Sequence, residues 1–218
     1  MENKPQAVIF DMDGVILDSE RVLLEGWKEL AKEVPMPGIE EAYIRVCGTT
    51  MEATEQTMKE IYGADFPFED MENRAIAIRD RLYPAGIPLK PGVRELLNLL
   101  REHQIPIALA TSTAGDLARG KLETAGLWHY FDAAVTGEMV QHSKPDPEIF
   151  LLAMQQLGSD PKMSVIIEDS FNGIRAGHAA GAQVIMVPDL QQPDTEIFLL
   201  CDRIFPSLHE VRDYFLNI

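Results

Sequence analysis

Residues 7–14 read Ala7-Val8-Ile9-Phe10-Asp11-Met12-Asp13-Gly14: four apolar residues, two carboxylates one residue apart, and a glycine. A short unbroken apolar run of this kind has the composition of a parallel strand buried on both faces. The pattern returns downstream, with strand-like runs at 105–110, 165–167 and 184–187 and a weaker one at 133–135. Helical patterns at 93–103, 116–125, 148–157 and 174–180 separate them, and Gly126, Gly158 and Gly181 stand where three of these helices should stop. Strands alternating with amphipathic helices predict right-handed βαβ units and a doubly wound parallel sheet. An edge strand over 203–205 and a closing helix are expected to complete the chain.

One stretch breaks the alternation. Between Ser19 and Leu82 no run reads as a strand; helical patterns cover 22–34, 40–46, 52–62 and 69–82, with Pro35-Met36-Pro37-Gly38, Gly48-Thr49-Thr50 and Gly63 between them. The spacing predicts a small all-helical unit over 19–82, inserted into an α/β core formed by 1–18 and 83–218.

Ligands of open parallel sheets bind beyond the carboxyl ends of the strands. The first strand ends in Asp11-Met12-Asp13-Gly14, the second in Thr111-Ser112-Thr113 and the fourth in Glu168-Asp169-Ser170. Four carboxylates and several hydroxyls thus meet at one sheet edge. Their mutual repulsion favours a bound cation, and hard oxygen ligands suit Mg²⁺. Each piece alone has a plainer reading: a chance Asp-x-Asp, a helix cap, an exposed acidic pair. Lys144, ahead of Pro145-Asp146-Pro147, is expected at a helix start, where its charge opposes the helix dipole by about 0.3–1 kcal/mol until an anion or carboxylate offsets it.

Composition narrows the function further. With 19 basic and 35 acidic residues the net charge is −16, which repels nucleic acid. No apolar run is long enough to span a bilayer, and the first ten residues do not read as a signal peptide. Cys47 and Cys201 are far apart and form no metal-binding pair, and the five histidines show no metal-ligand spacing. A cytoplasmic protein acting on a small molecule is expected, with a monomer as the first expectation and an oligomer as the alternative.

The four motifs Asp11-Met12-Asp13-Gly14, Thr111, Lys144 and Glu168-Asp169 stand in an order that resembles the haloacid dehalogenase superfamily. The phrases from Phe10 to Glu20 and from Ile167 to Gly173 resemble its β-phosphoglucomutase-like phosphatases, which carry a helical cap between the first two motifs. This resemblance implies a Rossmann-like core with an inserted cap and Asp11 as the nucleophile that forms an aspartyl-phosphate. Asp13 would be the acid that protonates the leaving oxygen and the base that then activates water. Thr111, with Ser112 beside it, and Lys144 would hold the phosphoryl oxygens. Mg²⁺ would be bound by Asp11, the main-chain carbonyl of Asp13 and Asp169, with Glu168 a direct or water-mediated ligand. Asp13 must begin protonated, a state that the charge of Asp11 should favour. Dehalogenases of the superfamily lack this second aspartate, which disfavours that chemistry.

The resemblance implies a phosphatase acting on a small phosphorylated metabolite, with a sugar-phosphate mutase as the alternative and a non-catalytic binding protein as a third. Mutases of the group carry a cap histidine where Leu23 falls here, and an arginine in the loop that here reads Gly48-Thr49-Thr50-Met51. Arg45, Arg74 or Arg79 could supply the missing cation from another helix. Ser19, Leu23, Gly48, Thr49, Thr50 and Met51, with Val22, are the candidate cap contacts to substrate; for Leu23 and Met51 packing within the cap is the competing reading.

Overall fold

A computed structural model describes residues 4–217, and counts below refer to these residues. Six strands form one parallel sheet: β1 (Ala7–Phe10), β2 (Ile107–Thr111), β3 (Ala133–Thr136), β4 (Ser164–Glu168), β5 (Gln183–Met186) and β6 (Arg203–Ile204), in the order β3-β2-β1-β4-β5-β6. The chain winds outward from β1 to β3, then crosses to β4 and winds outward the other way. Strand order therefore reverses at β1 and β4, which pair directly with Phe10 opposite Ile167. A reversal of this kind opens a crevice beyond the strand ends. Every side chain of β1, β2 and β4 is buried, as expected of central strands covered by helices on both faces.

Four helices lie between β1 and β2 in sequence: α1 (Ser19–Leu30), α2 (Ile39–Val46), α3 (Met51–Tyr62) and α4 (Phe68–Leu82). They form the inserted helical cap and close around their own apolar cluster, in which Trp27, Leu30 and Met58 are almost wholly buried. Each large apolar side chain so buried contributes about 1.5–3 kcal/mol. Trp27 stacks on Phe68 with ring centroids 6.2 Å apart. Helices α1 and α4 approach so closely at Gly26 that a Cβ there would lie 2.3 Å from the Ala75 carbonyl oxygen.

The two connections between cap and core run side by side. Asp18 N–H donates to the Pro88 carbonyl and Lys90 N–H to that of Ile16, both at 2.9 Å. Lys90 is buried between Asp189 (2.6 Å) and Asp18 (3.3 Å), and Arg21 of α1 also reaches Asp189 at 3.2 Å. The core continues with α5 (Val93–Glu102), α6 (Gly115–Thr124), α7 (Glu148–Leu157), α8 (Phe171–Ala179), α9 (Thr195–Leu200) and α10 (Leu208–Leu216). Gly126, Gly158 and Gly181 all take positive φ just after their helices, as a left-handed terminating residue does.

One placement and one boundary that bear on the site differ from the sequence reading. Helix α7 begins at Glu148, so Lys144 lies in the preceding loop and does not oppose that helix's dipole. Helix α8 begins at Phe171, three residues earlier than the apolar periodicity indicates, because the Ser170 hydroxyl caps it by accepting from Gly173 N–H at 3.0 Å.

Candidate active site

The sheet register decides which residues meet. Asp11 follows Phe10, which pairs with Leu109 of β2 and Ile167 of β4, and Asp11 N–H donates to the Ile167 carbonyl at 3.0 Å. Asp11 is thus flanked by the ends of both neighbouring strands, at the crevice where strand order reverses. Lys144 reaches in from its loop and joins Asp11 Oδ1 at 2.5 Å, Glu168 Oε1 at 2.7 Å and the Ala110 carbonyl at 3.2 Å. Asp11, Thr111, Lys144 and Glu168 are all buried.

Burial is the largest influence on Asp11; together with the Glu168 charge it overcomes the pull of Lys144 and lifts the carboxyl to about 7. Asp169 is driven well above the carboxylate range by burial, by Glu168 and by Asp11. Burial works against the charge of Lys144, yet Asp11 and Glu168 outweigh it and raise its pKa. Three carboxylates share a single lysine here, and Asp169 accepts no side-chain hydrogen bond from the described residues. That is the electrostatic imbalance a divalent cation corrects.

Glu168 is wholly buried and fully engaged. Oε1 accepts from Lys144, and Oε2 accepts from Asp169 N–H (2.8 Å), Ser170 N–H (2.9 Å) and the Ser170 hydroxyl (3.0 Å). Gly14 and Gly173 make room for these acids: a Cβ on Gly14 would stand 2.2 Å from Asp169 Oδ2, and one on Gly173 1.7 Å from Glu168 Oε1.

Asp13 is held quite differently from the expectation. Thr113 Oγ donates to its Oδ2 at 2.7 Å, and Lys121 Nζ lies 3.0 Å from its Oδ1. Burial alone would raise this carboxyl, but Lys121, Thr113 and Ser19 together bring it below its usual range. Lys121 and the two hydroxyls, not the charge of Asp11, set the direction of this shift. The sequence reading did not single out Lys121; two turns into a helix, it sits in no motif.

The remaining candidates divide. Thr111 is buried, and its hydroxyl accepts from Thr113 N–H at 3.1 Å, shaping the loop after β2, whereas Ser112 is exposed. Ser19 is buried beside Asp13. In the cap loop, Gly48 packs on Ser170, and its carbonyl accepts from Asn172 at 3.0 Å, which brings the loop against the β4–α8 turn. Thr49 bonds to the Val46 carbonyl and to Thr54, and Thr50 caps α3, while Met51 is exposed. Val22 is buried, and Leu23 packs against the cap's own apolar cluster. Arg74 pairs with Glu33 and Arg79 with Asp80, so both are committed elsewhere; Arg45 is exposed.

Glu20, which ends the phrase beginning at Phe10, was not singled out in the sequence and is held close to the carboxylates of Asp13 and Asp169. Its carboxylate accepts from Tyr43 OH at 2.7 Å, and burial raises its pKa. His142, Asp146 and Glu148 form a compact polar group whose ligand atoms lie within 4.8 Å of one another. Both Glu148 oxygens are occupied by the N–H groups of Gln141 and His142, however, so the group staples its own loop.

A family model described as haloacid dehalogenase-like hydrolase matches residues 8–187. The chain belongs to this family. It is a hydrolase acting on phosphate esters. It is 34 % identical over 180 residues to the phosphorylated carbohydrates phosphatase of Thermotoga maritima, covering 83 % of each chain. It is 32 % identical over 190 residues to the fructose-1-phosphate phosphatase of Escherichia coli, covering 86 % of this chain and 98 % of that one. A solved structure from Thermotoga maritima, provisionally named β-phosphoglucomutase, superposes with a TM-score of 0.78 at 30 % identity over 98 % of this chain and 99 % of the other. No helix among the described residues is long and apolar enough to cross a membrane.

Proposed function

We propose that this hydrolase removes phosphate from a small phosphorylated sugar or polyol through an aspartyl-phosphate on Asp11. The observation that carries the reading is the Asp11–Lys144–Glu168 chain at the crevice where strand order reverses. Lys144, held by Glu168, places a fixed positive charge against the carboxylate that must approach an anionic phosphoryl group. Such preorganised charge is what a weak nucleophile requires for phosphoryl transfer. In this reading Asp11, the main-chain carbonyl of Asp13 and Asp169 hold Mg²⁺, and Glu168 acts through Lys144 because both its oxygens are engaged. The bound ion supplies the charge that keeps Asp11 ionised and offsets that of the phosphoryl oxygens.

Asp11 Oδ attacks phosphorus and the ester P–O bond breaks; Asp13, which its Lys121 and Thr113 contacts hold ionised in the free protein, takes up a proton as substrate enters and gives it to the departing alkoxide. Asp13, now a carboxylate, takes a proton from water, and the hydroxide so formed attacks phosphorus to free Asp11 and release inorganic phosphate. Thr111 and the loop after β2 shape the floor on which the phosphoryl group rests. The cap excludes water during transfer, and the Glu20 carboxylate offers an acceptor suited to a polyol. The phosphatase names of the two curated relatives support this substrate class.

The mutase alternative needs a cap cation for a second phosphate. Gly48–Met51 supplies none and Arg74 and Arg79 pair with Glu33 and Asp80, which leaves the exposed Arg45 of α2 as the cation a mutase would have to use. The test is phosphate release with Mg²⁺ across a panel of small phosphate esters that includes β-glucose 1-phosphate. Release from several esters, abolished by a chelator, is expected. Conversion of the sugar 1-phosphate to the 6-phosphate without net release would overturn the phosphatase reading.

A further inference from the structure

Lys121 projects from α6, and the residues three and four positions away on that helix are Leu117, Ala118, Thr124 and Ala125. None is acidic, so the helix offers this lysine no ion-pair partner of its own. Glu123, the nearest acid in sequence, is paired with Arg119 at 2.8 Å. Lys121 reaches the loop after β1 instead and meets Asp13 Oδ1 at 3.0 Å, while Thr113 holds the other oxygen at 2.7 Å. One donor would leave the carboxylate free to turn about that tether. Two donors from different elements, one on each oxygen, fix its plane.

We infer that Lys121 is a positioning residue that sets the orientation of Asp13 for proton delivery to the leaving oxygen. The inference rests on the reading of Asp13 as the acid of the first step. Proton transfer needs heavy atoms about 2.6–3.2 Å apart, and a misplacement of about 1 Å costs up to ~10²-fold in rate. Lys121 and Asp13 are part-buried, with side-chain exposures of 29 % and 22 %, so the folding of Lys121→Met is checked by its urea midpoint beside that of Lys121→Arg.

The test compares two leaving groups. An alkoxide must be protonated as it departs, whereas p-nitrophenolate leaves without help. The best alkyl phosphate from the substrate panel and p-nitrophenyl phosphate are each assayed for kcat/KM, which reports steps up to the first irreversible one. In Lys121→Met the ratio of alkyl to aryl kcat/KM should fall at least ~10-fold, and Lys121→Arg should recover part of it. An unchanged ratio, with both esters equally slowed or neither, overturns the inference. Asp13→Asn is measured on the same pair. If it shows the alkyl-selective loss and Lys121→Met does not, Lys121 has no positioning role and the acid assignment stands. If Asp13→Asn shows no selectivity, the acid assignment itself falls and this inference with it.

Discussion

Gly173→Ala should damage stability and catalysis together, against the usual direction of a glycine-to-alanine change in a helix. Helix propensity alone favours alanine by up to about 1 kcal/mol. At Gly173, however, the added Cβ would lie 1.7 Å from Glu168 Oε1 and 1.9 Å from its Cδ, so a fully buried carboxylate must move by more than 1 Å. Three donors from Asp169 and Ser170 and the Lys144 ammonium hold it in place. Overpacking typically costs about 1–3 kcal/mol, and disrupting a buried ion pair about 3–5 kcal/mol. Set against the propensity gain, and with partial relaxation, the net loss is about 3 kcal/mol. Urea unfolding should show a midpoint about 1 M lower at unchanged slope. Phosphatase activity should fall by at least ~10², because Lys144 moves with Glu168. Gly120→Ala is the control: it lies inside α6 with nothing within 4 Å of its added Cβ, and it should gain about 0.5–1 kcal/mol. A Gly173→Ala protein as stable as Gly120→Ala would refute the claim that Glu168 is rigidly held against α8.

Asp11→Asn should abolish turnover on every ester, and Asp13→Asn should lower turnover of alkyl esters by at least ~10²-fold; phosphate-release rates check both, and near-normal rates in either variant contradict the mechanism. Lys90→Met should cost about 3 kcal/mol in urea unfolding, because it leaves Asp189, with only about 1 % of its side chain exposed, without its closest cation; adding Asp189→Asn should restore part of that loss, and strict additivity would exclude the coupling. The cation-free protein should lose stability as pH rises from about 4 to about 7: the Asp11 carboxyl, raised to about 7 when folded, holds its proton longer than in the unfolded chain, so the folded state resists its ionisation. Mg²⁺ should therefore raise the thermal midpoint more at pH 8 than at pH 5, and an equal increment at both would show that Asp11 is not a ligand. Burial and Glu20 push the Cys47 thiol far up, and burial pushes Cys201 up to about 11, so alkylation at pH 8 should be much slower than for a free thiol; rapid labelling of Cys47 would contradict the packing around Glu20.

The fold was legible in the sequence because its signals are local. Buried parallel strands need unbroken apolar runs, and helices that stop in a left-handed residue need glycine, so Ala7–Phe10 and Gly158 announce themselves without knowledge of their neighbours. Residues at strand ends were legible too, since the topology sends Asp11, Thr111 and Glu168 to one edge whatever the packing details. What the sequence could not show is how charge is shared among them. Glu168 looks like a metal ligand by residue type, but the two N–H groups and hydroxyl of the Asp169–Ser170 turn saturate one oxygen and Lys144 takes the other. Asp13 looks like an acid pressed by its neighbour Asp11, yet its nearest cation comes from Lys121, 108 residues away. A long-range ion pair leaves no periodicity and no turn signature, so it becomes visible only when α6 and the loop after β1 are both in place. The state of each carboxylate depends on such distant partners, which is why the identity of the site residues could be argued from motifs while their protonation had to wait for the fold.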